Sequence, residues 1–342
     1  TPTISITGNI TGTNTSLVKV GSGTTTLSGA NTYTGVTTVS AGTLALNGAA
    51  DNSRIAGDAN TATFDVTISG GTLRNDANEQ IANNASITMS IGAYSLNGAT
   101  ETIDAFTNSG GTFTTGTGTL IGLGNTITWS GGTNTINDGG TVQDQHFDVS
   151  GGTNTVEGGT TGGILHVQSG GIGFEFTGSG TPNITLNSDN TAAGRMLLEG
   201  KLSVASGYTG TGATITSGGS GTNAGYIDLG AGTRTFEIND SASAADDLTV
   251  SAVITNGSIT KTGAGTLVLS GANTYSTLQI GATNQTSNAG TVSIEHDTAL
   301  GSGQLAYGSG GTLDLGVSGL TVGNNVFIGN RSDSSDYKIQ LD

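Results

Sequence analysis

The chain has 342 residues, with 60 glycines, 2 prolines, no cysteine, and 9 Lys+Arg against 25 Asp+Glu for a net charge of −16. The absence of cysteine excludes disulfides, thiolate catalysis and Cys-based metal sites. The scattered cations form no basic stripe, which argues against nucleic acid or an anionic membrane as partner.

No stretch is apolar enough to span a bilayer, so no membrane insertion by this chain is expected. No signal peptide is read, and the opening Thr1-Pro2-Thr3 suggests a piece processed from a longer precursor. Glycine in this amount invites disorder. Short Val/Ile/Leu/Thr runs that alternate between Gly, Asn, Asp and Ser point instead to many short strands joined by tight turns.

Residues 1–48 open with the alternating strand Thr3-Ile4-Ser5-Ile6-Thr7. KVGSGTTTLSGANTY follows at 19–33, and then the strand Gly42-Thr43-Leu44-Ala45-Leu46. Across 49–174 a Ser-Gly-Gly beat recurs at Ser69, Ser90 (as Ser-Ile-Gly), Ser109, Ser130, Ser150 and Ser169, about every twenty residues. A unit that short cannot bury its own core, so the beat reads as the rung length of a solenoid.

Residues one and three places before each Ser (Ile68/Val66, Met89/Ile87, Asn108/Phe106, Trp129/Ile127, Val149/Phe147) fall on one inward column. A one-residue slip puts Val167 and Leu165 on that column too. Four places after the Ser come Leu73, Tyr94, Phe113, Asn134 and Asn154, making Asn134 and Asn154 candidates for an inward ladder bonding coil to coil. Residues 175–250 are loop-rich and give no clear register. Residues 251–342 carry KTGAGTLVLSGANTY at 261–275 and Gly290-Thr291-Val292-Ser293-Ile294, with six extra residues around Gly281–Ala289. The whole chain reads as one all-β parallel β-solenoid of about 20 residues per coil, making about 17 coils and a rod of about 80 Å.

The two fifteen-residue copies share Lys19/Lys261, Gly21/Gly263, Gly23/Gly265, Leu27/Leu269, Asn31/Asn273 and Tyr33/Tyr275. They resemble the autotransporter-associated β-strand repeat, whose pattern is close to K-x-G-x-G-T-L-x-L-S-G-x-N-T-Y-x-G followed by a Gly-Thr-Leu strand. The resemblance implies a right-handed parallel β-helix in a secreted, surface-attached bacterial passenger domain, and hence an extracellular location.

Chemistry has one candidate cluster, Asp144, His146 and Asp148, expected together on the outer face with His166 beside His146 on the next coil. Carboxylates and imidazoles so placed could cleave a glycan or hold a divalent metal. No Lys or Arg lies nearby to assist, and solvated surface positions are the plainer account. The calcium nonapeptide of β-rolls and the EF-hand spacing are absent, and Asp246-Asp247 reads as loop solvation. No cofactor is expected, and the chain reads as non-enzymatic.

Neither end shows a capping helix or polar coil. Ile4 and Ile6 at one end and Ile339 and Leu341 at the other therefore become candidate assembly surfaces, with head-to-tail stacking into a homopolymer as the expected consequence. The function expected is a structural fibre, sheath or filament subunit. An adhesin that presents the rod to cell-surface glycans or other cells is the alternative, and a glycan-cleaving enzyme a lesser one.

Overall fold

The structure is a computed structural model that describes residues 2–50, 54–56, 65–282, 289–307, 310–328 and 338–341, with Ile328 and 338–341 described by backbone alone. Among the described residues there is no helix, and every strand of the ladders is paired in parallel. The chain winds as a parallel β-helix with up to three strand-bearing sides, in the right-handed sense that parallel crossovers take.

The first side runs from Leu17–Lys19 down to Val326–Ile328, and the second from Thr3–Ile6 to Lys338–Leu341. Fifteen described strands stack along the second side. At about 4.8 Å per rung they give a rod of roughly 65–70 Å. Among the described residues a third side of strands exists only in the middle, from Thr100–Ile103 to the Val253–Thr255 stretch.

The Ser-Gly-Gly beat is the corner between the first and second sides. Ten-residue strands such as Val66–Asn75 and Ile127–Ile136 pass through it, with their register broken there. At Gly132 φ is +66°, and an added Cβ would fall 2.1 Å from the Gly111 carbonyl oxygen, so the corner takes only glycine. The two inward columns read from the sequence stack in register across these coils, including Leu73, Tyr94, Phe113, Asn134 and Asn154. Aromatic rings fill the interior: Tyr94, Phe106 and Phe113 pack together, with Phe106 and Phe113 centroids 5.0 Å apart. Trp129, Phe147, Phe174 and Phe176 continue the chain of rings.

Two expectations need correction. Leu165 and Val167 do not slip onto the column of Phe147 and Val149. They pair with Val142 and Asp144 on the third side, while Phe147 and Val149 pair with Phe174 and Phe176. The Ser169 beat therefore marks a different corner.

Nor does the twenty-residue coil persist. Ile164, Arg195 and Tyr226 succeed one another at intervals of 31 residues, because loops lengthen at the corners. Longer coils mean fewer of them, which is why the rod is shorter than 80 Å. The stretch 175–250, opaque in sequence, holds regular coils with strands Asn183–Asn187, Arg195–Leu198, Leu202–Val204, Ala213–Gly218 and Tyr226–Ile238. Most of the extra residues of the second repeat copy, 283–288, lie outside the described residues.

Candidate functional site

Among the described residues the third side has no strand ladder at either end of the rod, and there the repeat's asparagine takes the ladder's place. Asn31 is buried. Its Oδ1 accepts the Ile10 N–H at 2.8 Å and its Nδ2 donates to the Arg54 carbonyl at 2.7 Å. Asn273 does the same, taking the Ile254 N–H at 2.8 Å and donating to the Ala299 carbonyl at 2.8 Å. One carboxamide thus offers the donor and acceptor that a strand's peptide group would offer, joining three successive coils.

Glu101 performs the acceptor half of that job where the third sheet begins. It lies in register with Leu120 on the inward column, and its carboxyl accepts the N–H groups of Gln80 at 2.8 Å and Ile81 at 3.1 Å, with Asn75 Nδ2 close beside it. Burial pushes the Glu101 carboxyl up to about 8, against the pull of these donors.

Lys19 and Lys261 turn inward, and each ammonium is caged by three backbone carbonyls. Lys19 Nζ donates to Val20, Gly21 and Ala41 at 3.0, 2.8 and 3.0 Å. Lys261 Nζ donates to Gly263, Gly265 and Ala289 at 2.7, 2.6 and 2.8 Å. Three N–H donors matched to three carbonyls pin a corner to the coil that follows it. Burial pushes the Lys261 ammonium down to about 7, with the Asp247 carboxylate opposing that shift.

The two motif glycines serve the cage differently. Gly263 sits at φ +80°, a left-handed turn that L side chains rarely adopt, whereas a Cβ on Gly265 would fall 2.6 Å from the Asn239 carbonyl oxygen. The tyrosines are buried at another corner, where the chain returns from the third side to the first-side strands Thr37–Val39 and Thr277–Ile280. Tyr33 OH lies 2.7 Å from Thr37 Oγ1, and Tyr275 OH donates to Ala299 O at 2.9 Å. Burial raises both hydroxyls, Tyr33 to about 12. Leu27 and Leu269 lie in the core.

In the middle coils, Asn134 and Asn154 are buried and joined, Asn134 Nδ2 donating to Asn154 Oδ1 at 2.8 Å. The ladder extends one coil each way. Asn108 Nδ2 donates to Asn134 Oδ1 at 2.8 Å, and Asn154 Nδ2 donates to the Asn183 carbonyl at 2.8 Å.

The expected outer-face cluster is not assembled. Asp144 points inward, fully buried in the alternation of Thr141–Asp144, and burial raises its carboxyl to about 6. His146 and Asp148 face outward on the first side, where His146 Nδ1 lies 2.9 Å from Thr126 Oγ1 and Asp148 accepts the Thr177 hydroxyl. His166 is on the third side beside Gln143, paired with Glu199 at 2.9 Å. The misreading came from one residue: the chain turns a corner at Gln145, so Asp144 and His146 belong to different strands. Among the described residues no His/Cys/Asp/Glu group could hold a metal ion. Asp247 is likewise buried rather than solvating a loop, accepting the N–H groups of Ser241 and Thr266.

Ile4 is exposed and Ile6 half-buried on the first described rung. Ile339 and Leu341 pair by backbone with Leu313 and Leu315, and their side chains lie outside the described residues. Sequence reasoning missed Glu101, Asn108 and the buried Arg54, whose guanidinium donates to the Ser28, Gly29 and Ala49 carbonyls. Asn108 carried a usable signal, since it is polar at an inward place of the column.

A family model described as the passenger-associated-transport-repeat matches residues 17–46 and 259–276. These segments hold Lys19, Asn31, Lys261 and Asn273, the residues that carry the lysine cages and asparagine clips. No curated protein and no solved structure matches the chain. The two segments that match the passenger-associated-transport-repeat thus supply the asparagines that stand in for the third ladder.

Proposed function

We propose that the chain is a non-enzymatic rod from a bacterial passenger region exposed outside the cell, and that it works by stacking rung upon rung in a fibre or sheath. The repeat supports the passenger assignment. The observation that carries the stacking is the ladder itself, in which Ile4, Thr25, Leu44, Leu73 and Tyr94 succeed one another in register, so each rung buries its inward residues only against the rungs beside it. A rung built this way is a template for a rung of another copy. A head-to-tail contact of that kind does not close on itself, and so grows a filament.

Negative-stain images of the purified 342-residue chain test this, together with sedimentation over a concentration series. Uniform fibres that disappear in Ile4→Lys are the expected result. Isolated rods of roughly 65–70 Å at every concentration contradict it.

A further inference from the structure

The 31-residue coils carry a third repeat, one that builds an external wall. Between the second and third sides, residues 157–163, 188–194 and 219–225 form three seven-residue loops reading EGGTTGG, SDNTAAG and GSGTNAG. Thr160, Thr191 and Thr222 share one place in these loops, and Gly163, Gly194 and Gly225 another. The loops are tied to one another rather than left free. Gly159 and Ala192 exchange backbone hydrogen bonds at 2.8 and 3.0 Å, and Asp189 and Asn223 at 3.1 and 2.9 Å. The Asp138 carboxylate of the preceding coil accepts the N–H groups of Thr160, Thr161 and Gly162 at 2.8–2.9 Å, and these donors hold that carboxyl below its ordinary value.

Beside the wall, the outward column of the third side stacks Ile164, Arg195, Tyr226 and Val253 in register. Wall and column enclose an open groove of about 700 Å³ running along the rod axis, within the range of a small-molecule site. Arg195 and Tyr226 are half-buried in its floor. Among the described residues the one charged partner of Arg195 is Asp228, at 3.6 Å, beyond hydrogen-bond reach. Its guanidinium donors therefore remain available to a ligand, next to the Tyr226 phenol ring.

We propose that this groove binds a segment of neutral, linear oligosaccharide lying along the rod. Four features select that occupant. A guanidinium donor beside a phenol hydroxyl and its aromatic face suits vicinal hydroxyls and the apolar face of a pyranose ring. The wall adds exposed Thr191, Thr222 and Asn223, whose hydroxyls and carboxamide bond to sugar hydroxyls without requiring charge. The chain's net charge of −16 disfavours an acidic glycan. The rung spacing of about 4.8 Å is close to the repeat of a linear pyranose chain, so successive sugars meet successive coils. The cross-bonded loops hold the groove open before any ligand arrives, which limits the ordering cost of binding.

The test is titration of the whole chain, followed by NMR and calorimetry, with cellotetraose and laminaritetraose as probes and tetragalacturonate as the acidic comparison. Expected is saturable binding of a neutral tetrasaccharide that is stronger than for its disaccharide. Arg195→Gln and Tyr226→Ala should each weaken it at least tenfold with thermal unfolding unchanged, while Tyr226→Phe keeps most of it. Three results overturn the proposal: no binding of either neutral probe at millimolar concentration, affinity indifferent to both substitutions, or tighter binding of tetragalacturonate. The outcome is independent of stacking, because the groove lies on the flank of the rod and the stacking edge at its end.

Discussion

The middle of the rod and its two ends solve one problem differently. Between Thr100 and Thr255 the third side is a true parallel ladder, and its inward column is Leu120, Val142, Leu165, Met196, Ile227 and Ile254 beneath Glu101. Apolar residues suffice there because the peptide groups bond one another. At the ends the chain crosses the same side without a ladder, and buried peptide groups would be left unpaired at a cost of about 1–3 kcal/mol each. Asn31 and Asn273 supply the missing partners, while Lys19 and Lys261 bond carbonyls at the corner between the first and second sides. The agreement between the two repeat copies at Asn31 and Asn273 is therefore a hydrogen-bonding requirement, whereas the third-side column from Leu120 to Ile254 needs only apolar residues.

Substitutions can break that contrast. The largest effect expected is for Lys261→Met, which keeps the length of the side chain and takes the ammonium from the buried Gly265 and Ala289 carbonyls and the half-buried Gly263 carbonyl. A loss of about 4 kcal/mol of unfolding free energy is predicted, and a denaturant midpoint like that of the wild type would refute the cage. Asn273→Leu should cost about 3 kcal/mol, because the Ile254 N–H loses its partner and the Ala299 carbonyl keeps only the Tyr275 hydroxyl. The matching apolar swap in the paired region, Met196→Leu, should cost less than about 1.5 kcal/mol. Equal costs at the two places would erase the distinction between clip and ladder. Asn134→Ala, which interrupts the middle asparagine run, is expected to cost about 2 kcal/mol.

A pH series sharpens the comparison at the boundary where the third sheet begins. Glu101 is held up at about 8 from an ordinary 4.5, so the folded chain keeps a proton that the unfolded chain releases between those values. Its contribution to stability is complete below about 4.5 and is lost as pH rises through about 8. Unfolding curves for wild type and Glu101→Gln should therefore move apart in the variant's favour from about pH 5 to about pH 8. Parallel curves would show that the carboxyl does not titrate in that window. The smallest effect belongs to Arg74→Ala. The Arg74–Asp76 pair is 39% and 20% exposed, and its loss should change stability by less than about 0.5 kcal/mol.

Much of this architecture was legible in the sequence. Alternation and the glycine beat located the inward columns from Val66 to Val149, and the internal copy located Lys, Asn and Tyr at both ends. What stayed hidden has a common cause: sequence shows which residues repeat, but not at which corner the chain turns. Asp144 and His146 look like neighbours on one face until the turn at Gln145 sends one inward. The 31-residue repeat escaped because only a Thr and a Gly recur in each wall loop, against a background rich in both. Glu101 gave no sign because its place on the column is recognisable only once Leu120 is seen to lie beneath it.

The central claim is that the repeat's asparagine replaces a strand, and amide hydrogen exchange at Ile254 tests it most directly. In the wild-type chain that N–H, bonded only to a side chain, should be protected comparably to the Thr141 N–H, which bonds the Gly118 carbonyl at 2.9 Å within the true third ladder. In Asn273→Leu, protection at Ile254 should fall at least about tenfold further than protection at Thr141. Rapid exchange at Ile254 in the wild type, or an equal loss at both amides in the variant, would contradict the account.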